Sequence, residues 1–420
     1  MRSDTGELLI KGLKSDTIRG FMGDGMVNVQ IEKGELMNAL VTGSVTGNVA
    51  RVGVVGGGQL AWMMAAAAKK LGLELRVQTP NSADPAVTIA DETIFAAVTD
   101  PSGTAKLAAK SDVITFENEF LDLDALSKLA EQGACFRPSL ASLSPLISKY
   151  DQRCFLRDRN LPTPKFCRLS EATEIPFPCV LKTCRNGYDG YGTFIVKSQL
   201  ELDQVLSKVP AIDLLLEAFV PFKRELAVMV ARSLDGEVSL YPIVETQQVN
   251  AVCHRVIVPI ELPDGLEETI GAIARTIVES LQVVGIFGIE FFETLDGQVL
   301  VNEIAPRTHN SGHYTLDASV TSQFEQQLRA ISGMPLGSSA LNCGGAVMVN
   351  LLGFESATSD YAEVRSRLAK LPGATVHWYG KSEARSGRKL GHVTVCFDEA
   401  NEAKAREMAD TIEQIWYGGD

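Results

Sequence analysis

The sequence contains no apolar run long enough to cross a lipid bilayer. The longest approach to one, residues 60–68, ends at Lys69-Lys70, whereas a membrane-spanning helix needs about 20 consecutive apolar residues. Residues 1–49 likewise lack the apolar centre of a signal peptide and carry too many acidic residues for a transit peptide. We therefore expect no membrane association and a cytoplasmic location, with residues 1–49 as a weakly ordered N-terminal extension.

Cysteines at CxxC spacing are also missing. The eight cysteines are scattered and several lie inside apolar runs, which is typical of a reducing compartment and not of a disulfide framework. Positive charge is scarce as well, since 39 Lys and Arg face 52 Asp and Glu, for a formal net charge of -13. This balance speaks against a nucleic-acid or anionic-membrane partner. An acidic chain that handles phosphates must build local basic pockets.

Apolar residues, by contrast, are plentiful enough for two or three domains. The 420 residues are 45% hydrophobic, as in ordinary soluble globular proteins. No internal repeat is found, and the only biased tract is a short alanine run. Function must therefore be sought in particular motifs.

The most informative stretch, residues 284–314, is predicted to form a β-hairpin. Two runs rich in Ile, Phe and Val flank Asp296-Gly297, a dipeptide that favours a two-residue turn. In that register, the sequence numbers of any two directly opposed residues add up to 593. Leu295 faces Gln298, Phe292 faces Val301, and Glu290 faces Glu303.

The opposed pair Glu290 and Glu303 is the unusual feature of this hairpin. Side chains so placed have Cβ atoms about 5 Å apart, and like charges at that distance need a proton, an arginine or a metal ion to compensate them. Hard oxygen ligands on rigid strands suit half of a Mg²⁺ site that substrate phosphates complete. A solvent-exposed pair, with one glutamate displaced by a bulge, is the alternative, and the pairing alone does not decide.

A loop rich in hydrogen-bond donors follows the second carboxylate. Ala305-Pro306 ends the strand, and the next residues can neither pack in a core nor continue a strand; they include Arg307, His309, Asn310, Ser311 and His313. Arg307 suits phosphate or carboxylate. The two histidines have the spacing of a zinc pair on a helix, but Ser311-Gly312 argues against a helix and no third ligand is evident. Substrate contact is therefore preferred to zinc.

Residues 51–79 predict strand, glycine loop, helix and strand. The loop Gly56-Gly57-Gly58-Gln59-Leu60-Ala61 matches G-x-G-x-x-A and places helix N-terminal amides where an anion could bind. A nicotinamide enzyme needs an acid after the second strand, where this chain has Gln78 and Thr79. The loop is thus expected to line a substrate pocket or to make a tight turn. Glu117-Asn118-Glu119 ends a further strand, at the carboxyl end where doubly wound sheets bind ligands, although solvated loop acids are the simpler interpretation.

A charged helix from Lys149 and the linker Pro162–Pro164 mark a domain change. The buried strand PFPCVLKTC then carries Lys182, and residues 185–193 form a glycine-rich tip before the next strand. Its amides could close over phosphates above the lysine, although a plain hairpin is also possible. Antiparallel strands with Glu217 and Glu225 follow, and then a helix at about 265–282.

The C-terminal part, from about residue 340, predicts a small α+β domain. Four cations stand against one acid between Lys381 and Lys389. The segment is either a solvated basic hairpin or, in so acidic a chain, an anion pocket.

With these motifs assembled, the chain resembles the 5-(carboxyamino)imidazole ribonucleotide synthase family of ATP-grasp enzymes. The resemblance spans about Arg51 to Asp398 and is carried by GVVGGGQLAWMM, TFENE, RNGYDGYGT, VNEIAPRTHNSGH, SQFEQQLRAI and WYGKSEARSGRKLGH. It implies an α/β and α+β chain with an N-terminal doubly wound parallel-sheet domain at 50–148. An ATP-grasp domain at 149–335, with a mobile lid at about 165–220, and a small C-terminal α+β domain at 336–420 would follow.

The resemblance also implies a reaction of purine biosynthesis. ATP would phosphorylate bicarbonate to carboxyphosphate, and the carboxyl group would pass to the exocyclic amine of 5-aminoimidazole ribonucleotide, with Mg²⁺ neutralising charge. Family members commonly form homodimers. Two alternatives are an ATP-grasp ligase acting on formate and glycinamide ribonucleotide, and a nucleotide-binding regulator without turnover. A nicotinamide oxidoreductase is disfavoured by the missing acid.

Site roles are carried over by motif match. The nucleotide would contact Arg137, Lys182, Gly187, Tyr188, Asp189, Gly190, Tyr191, Gly192, Thr193, Glu217, Ala218, Phe219, Val220, Glu225, Asn302 and Glu303. The ribonucleotide would contact Tyr188, Asp189, Arg307, His309, Asn310, Ser311, Lys381 and Arg388. Mg²⁺ would be held by Glu290 and Glu303, and the catalytic residues would be Lys182, Asp189 and Arg307. Tyr191, Trp62 and Gln248 depart from residues common in the family.

Overall fold

The structure is a computed structural model that describes residues 18–22, 25–29, 49–185, 192–209, 214–249, 251–381 and 383–418. The chain divides into two compact units, Met1–Gly47 and Asn48–Asp420. In the first, β1 (Ile18–Met22) pairs antiparallel with β2 (Gly25–Val29). The sequence analysis did not predict these two strands.

The second unit begins with a parallel sheet in the order β5-β4-β3-β6. Its elements are β3 (Arg51–Val55), α1 (Gln59–Leu71), β4 (Glu74–Thr79), β5 (Glu92–Phe95), α2 (Pro101–Ala108), β6 (Val113–Phe116) and α3 (Leu123–Glu131). Val52 and Val54 pack with α1, whereas Val55 packs with Leu107 of α2 and Leu126 of α3. Because successive strand residues face opposite sides, helices cover both faces, and the predicted doubly wound domain is confirmed.

A short helix, α4 (Leu140–Leu143), and α5 (Lys149–Asp158) lead to a four-stranded antiparallel sheet. This lid sheet has the order β7-β10-β8-β9 and consists of β7 (Phe166–Arg168), β8 (Cys179–Thr183), β9 (Thr193–Val196) and β10 (Leu214–Ala218), with α6 (Gln199–Leu206) after β9. Leu181 packs with Val196 and Leu202 in its core. Lys182, the next residue, therefore lies on the opposite face of β8.

The largest sheet is antiparallel and has nine strands, in the order β16-β15-β11-β13-β14-β17-β19-β18 with β12 paired to β11. The strands are β11 (Phe222–Arg232), β12 (Val238–Leu240), β13 (Val244–Val249), β14 (Val252–Val258), β15 (Gly285–Thr294), β16 (Val299–Ala305), β17 (Gly345–Leu352), β18 (Ala374–Trp378) and β19 (Lys389–Phe397). The helices around it are α7 (Leu266–Ser280), α8 (Thr315–Ala318), α9 (Gln323–Ser332), α10 (Ala362–Leu368) and α11 (Glu402–Tyr417). No described helix is long and apolar enough to cross a membrane.

The C-terminal strands belong to this same sheet. β17 pairs with β14, with Val256 opposite Met348, and so continues the sheet past the boundary predicted near residue 336. The described strands of the C-terminal α+β segment are thus part of the central sheet.

The turn of the β15–β16 hairpin differs from the prediction. The amide of Thr294 donates to the Gln298 carbonyl at 2.9 Å, and that of Gly297 donates to the Thr294 carbonyl at 3.0 Å. Three residues therefore connect the strands, and Gly297, with φ +79°, takes the left-handed position that such loops require. The predicted pairing of Leu295 with Gln298 is wrong.

A bulge then restores the register at the carboxylates. Phe292 faces Leu300, not Val301, but Glu290 faces Glu303 as predicted, because the register shifts by one residue at Asn302. Bulges of this kind re-aim side chains next to functional sites. Here the extra residue places Asn302 beside Glu303 at the edge of the sheet.

Replacing Gly297 with alanine should destabilise the fold by about 1 kcal/mol, because a Cβ is disfavoured at positive φ. Nothing lies within 4 Å of a Cβ added there, so the cost is conformational and Gly297→Asn should lose less. Urea unfolding of the two variants measures the difference. Equal stability of wild type and Gly297→Ala would contradict the three-residue loop.

Candidate functional site

A cavity of about 520 Å³ lies where the three sheets of the second unit meet. Its wall brings together residues predicted separately from the glycine-rich tip, the lid strands, the hairpin and the donor loop. The predicted site residues that line it are Lys182, Thr193, Glu217, Ala218, Phe219, Val220, Glu225, Glu290, Asn302, Glu303, Arg307, His309 and Asn310.

A buried ion cluster forms the lid side of the cavity. Lys182 and Glu217 are diagonal neighbours on β8 and β10, and their Nζ and Oε2 atoms are 2.9 Å apart. Arg153 of α5 holds the other oxygen of Glu217 at 2.5 Å. Burial lowers the pKa of Lys182. Burial alone would raise the pKa of Glu217, but the charges on Lys182 and Arg153 outweigh it and lower that pKa to about 2.

The opposed glutamates are electrostatically unequal. Burial and the charge on Glu303 raise the pKa of Glu290 to about 8. Burial opposes ionisation of Glu303 too, but Lys149, whose Nζ lies 2.9 Å from its Oε2, lowers that pKa to about 2. One carboxylate is therefore compensated and the other is not. This donor set suits a divalent cation, which would compensate the second.

The donor loop is held by the protein on two sides. Arg307 forms a bidentate ion pair with Glu119, with N–O distances of 2.6 and 3.0 Å. Gln323 of α9 accepts from the His309 amide at 2.9 Å and donates to the His309 carbonyl at 2.7 Å. Burial and the nearby Arg307 lower the pKa of His309 to about 4, so its imidazole is neutral at physiological pH.

The glycine loop at the start of α1 is occupied by the protein's own carboxylate. Glu117 accepts from the amides of Gly58 at 2.7 Å, Leu60 at 3.1 Å and Ala61 at 3.4 Å. These are the helix N-terminal groups that would otherwise bind an anion. The interpretation of Glu117 as a solvated loop acid is therefore wrong. Gln59 and Glu117 both line the cavity, as expected if the loop lines a pocket.

Several predicted contacts lie away from the cavity. Arg137 is buried and its Nη1 donates to the Ile331 carbonyl at 2.5 Å, so it does not line the cavity and its phosphate contact stays a prediction. Ser311 is buried behind His309, whose Nδ1 lies 2.9 Å from its hydroxyl. Gly192 precedes the cavity residue Thr193 without lining the wall.

The basic C-terminal segment contributes differently from the prediction. Lys381 donates to Gln59 at 2.9 Å and to the Lys389 carbonyl at 2.7 Å, and so lies behind two wall residues. Arg388 donates to the Glu383 carbonyl at 2.7 Å. Lys389, not Arg388, lines the cavity. Gly187, Tyr188, Asp189, Gly190 and Tyr191 lie outside the described residues, and their roles stay predictions.

Sequence analysis missed the contribution of α5. Lys149, Gln152 and Arg153 share one helical face at i, i+3 and i+4, and all three contact the hairpin strand or the lid. The signal was present, since two cations and an amide at helical spacing precede the domain linker. It was interpreted only as a boundary.

We expect Glu290→Gln to make the metal-free protein more stable than the wild type, by an amount that grows as the pH rises. The folded pKa of about 8 lies above the ordinary 4.5, so the carboxyl costs stability that grows between those values. The variant should gain about 4 kcal/mol at pH 8 and less than about 1 kcal/mol at pH 5. Unfolding by urea in a chelator measures this.

Glu293→Gln on the same strand is the matched control. Glu293 is more buried than Glu290 but has ion-pair partners in Lys223 and Arg224, so its neutralisation should destabilise the fold. A Glu290→Gln variant that loses stability at pH 8 would contradict the uncompensated carboxylate.

Replacing Arg137 and Lys149 one at a time with methionine distinguishes their roles. Lys149→Met should weaken ADP binding roughly tenfold, since it removes the cation beside Glu303. Arg137→Met should instead lower stability by about 2 kcal/mol with ADP affinity unchanged. Calorimetric ADP titration and urea unfolding of both variants test this. Weaker ADP binding in Arg137→Met, with unchanged ADP affinity in Lys149→Met, would show that Arg137 and not Lys149 acts on the nucleotide.

Comparison with known proteins finds three family models that match the chain one after another. The ribonucleotide synthetase preATP-grasp domain matches residues 49–144, the ATP-grasp domain matches 154–324, and the phosphoribosylaminoimidazole carboxylase C-terminal domain matches 346–406. The Synechococcus elongatus N5-carboxyaminoimidazole ribonucleotide synthase is 53% identical over 91% of this chain and 99% of its own length.

Solved structures agree with the sequence matches. The N5-carboxyaminoimidazole ribonucleotide synthetase of Thermotoga maritima is 39% identical, with a TM-score of 0.77, over 87% of this chain and 98% of that one. The Aspergillus clavatus enzyme, in complex with ADP and 5-aminoimidazole ribonucleotide, is 30% identical, with a TM-score of 0.81, over 89% of this chain and 100% of that one. The chain belongs to the N5-carboxyaminoimidazole ribonucleotide synthase family.

Proposed function

We propose that this protein uses ATP to carboxylate 5-aminoimidazole ribonucleotide with bicarbonate, giving N5-carboxyaminoimidazole ribonucleotide, ADP and phosphate. The observation that carries the proposal is a single cavity that joins three kinds of site. A buried lysine on the lid sheet, an opposed carboxylate pair and an arginine-histidine loop all line it. Phosphoryl transfer from ATP to bicarbonate, followed by capture of the carboxyl group by the ribonucleotide, needs these three kinds of site in one cavity.

The lid side of the cavity suits the nucleotide. Lys182 offers a cation to the phosphates, and its Glu217 partner keeps it oriented. Residues 217–220, at the end of β10 and just after it, line the cavity beside the exposed side chains of Ile195 and Phe222, which could cover an adenine. Glu225, whose pKa burial raises to about 7, lies on β11 within reach of ribose hydroxyls.

The hairpin residues fit a magnesium ion. Glu290 and Glu303 would hold it, with Asn302 beside them. In the described part of the chain no three His, Cys, Asp or Glu side chains form a metal site by themselves, so phosphate oxygens would complete the shell. When bound, the ion would neutralise the charge on the transferring phosphoryl group.

The donor loop suits the acceptor side of the reaction. A bicarbonate oxygen would attack the γ-phosphorus as ADP leaves, and the amine of the ribonucleotide would then take the carboxyl group as phosphate departs and an N–H proton is lost. Arg307 supplies a fixed charge for the anionic intermediate, and Glu119 restrains its direction. Neutral His309 can hydrogen-bond without adding charge. Asn310, Lys389 and Gln59 complete this wall.

A cytoplasmic homodimer is also proposed, on the family resemblance. The oligomeric state can be read from the mass of the protein in solution by light scattering. A monomer at micromolar concentration would exclude the dimer while leaving the cavity assignment unchanged.

The function is tested by ADP release with Mg²⁺, ATP and bicarbonate, with and without 5-aminoimidazole ribonucleotide. We expect the ribonucleotide to stimulate ADP release strongly in the wild type. In Glu303→Gln the stimulated rate should fall by a factor of about 100 or more, because a charge beside the transferring phosphoryl group is removed. Glu293→Gln serves as a control for charge removal outside the cavity. Stimulation by glycinamide ribonucleotide with formate in its place would contradict the proposed substrate.

A further inference from the structure

The carboxylate strand β16 is an edge strand, yet its outer backbone groups are not left to water. β16 ends the strand order of the large sheet, so one row of its amides and carbonyls has no neighbouring strand. Side chains of α5 take that place. Gln152 accepts from the Ile304 amide at 2.8 Å and donates to the Ile304 carbonyl at 3.0 Å.

Arg153, the next residue of α5, reaches the bulge itself. Its Nη2 donates to the Asn302 carbonyl at 2.7 Å, while its Nε donates to Glu217 at 2.5 Å. The side chains of Arg153 and Glu217 are 2% and 3% exposed, so solvent screens their ion pair little. One guanidinium therefore joins the bulge of the large sheet to the lid sheet.

Both groups that Arg153 holds touch the nucleotide side of the cavity. Glu217 carries Lys182 on its second oxygen, and the Asn302 side chain accepts from Lys182 at 3.2 Å. Asn302 is also the residue before Glu303. A shift of the bulge would thus move the phosphate-binding lysine and a metal-binding carboxylate together.

We infer that Arg153 is a positioning residue for the magnesium nucleotide: it holds the bulge at Asn302 and the carboxylate of Glu217 in one geometry, so that Lys182 and Glu303 face the same phosphates. The inference rests on the proposed function for its ligand. Arg153 does not line the cavity, and it acts only through the residues it holds. A lysine could replace one of its two bonds but not both, because only the planar guanidinium offers several donors in a fixed fork.

Arg157 provides a matched control. It lies one turn further along α5, and its guanidinium forms an ion pair with the adjacent Asp158, both side chains being 58% exposed, and lies 5.7 Å from the ring centroid of Phe166 in β7. Arg157→Met therefore removes the same charge and the same donor group from the same helix, while the bonds to Glu217 and to the Asn302 carbonyl stay in place. Any general effect of charge loss or helix propensity appears in this variant.

The experiment is calorimetric titration of ADP, with and without Mg²⁺, into wild type, Arg153→Met, Arg153→Lys and Arg157→Met. We expect Arg153→Met to weaken ADP binding in Mg²⁺ by at least tenfold and binding without Mg²⁺ by less. Arg153→Lys should recover part of the loss, and Arg157→Met should match wild type. In steady state, KM for ATP should rise while KM for 5-aminoimidazole ribonucleotide stays within about twofold.

Two results would overturn the inference. One is an unchanged ADP affinity in Arg153→Met, and the other is an equal rise of the KM values for ATP and for the ribonucleotide. If Arg153→Met does not fold, Arg153→Lys decides, since it keeps the buried charge: unaltered Mg²⁺-dependent ADP affinity in that variant would also overturn it. Failure of the proposed function is distinguishable, because it would appear as absent ribonucleotide-dependent turnover in the wild type, whereas the ADP titrations do not depend on turnover.

Discussion

The repulsion between Glu290 and Glu303 is the constraint on which the site depends. A hairpin register sets the two carboxylates opposite each other, in a wall where burial raises the cost of a second negative charge. Lys149 forms an ion pair with Glu303, whereas its charge offsets the burial of Glu290 only in part. Near neutral pH the metal-free protein therefore keeps Glu290 largely protonated at the point where a magnesium nucleotide is proposed to bind, and a bound cation would replace that proton.

The surrounding structure restricts how a second negative charge at the Glu290–Glu303 pair can be compensated. The lid sheet contributes Lys182, the helix α5 contributes Lys149 and Arg153, and the donor loop contributes Arg307, each cation paired with a particular carboxylate. A chain with net charge -13 thus concentrates cations around one cavity. Because each is held by an acid, the cavity walls keep their geometry without a ligand, which lowers the reorganisation needed when phosphates enter.

Much of this arrangement could be predicted from sequence, where local patterns carry the information. The alternation of apolar residues around Asp296-Gly297 predicted the hairpin, and the pairing of Glu290 with Glu303 was correct. It was correct through two cancelling errors, since a three-residue loop moved the register by one and the bulge at Asn302 moved it back. Turn type and bulges depend on backbone geometry that residue identity specifies weakly.

Contacts between distant segments could not be predicted. Glu117 was interpreted as solvated, although it lies against the amides of a loop 56 or more positions earlier. Arg137 was assigned to phosphate on its motif, but packing turned it to the Ile331 carbonyl. Nor did any local pattern show that β17 extends the central sheet, because strand order is fixed by pairing between segments far apart in the chain.

The most direct test of the central claim is to count divalent ions at the carboxylate pair. Electron paramagnetic resonance of Mn²⁺, which shares the oxygen-ligand preference of Mg²⁺, can be titrated with the protein in the presence of ADP. The account predicts one tightly bound ion per chain in the wild type, and loss of that ion in both Glu290→Gln and Glu303→Gln. Equal tight binding in wild type and both variants would show that the cation lies elsewhere and that the opposed glutamates do not hold it.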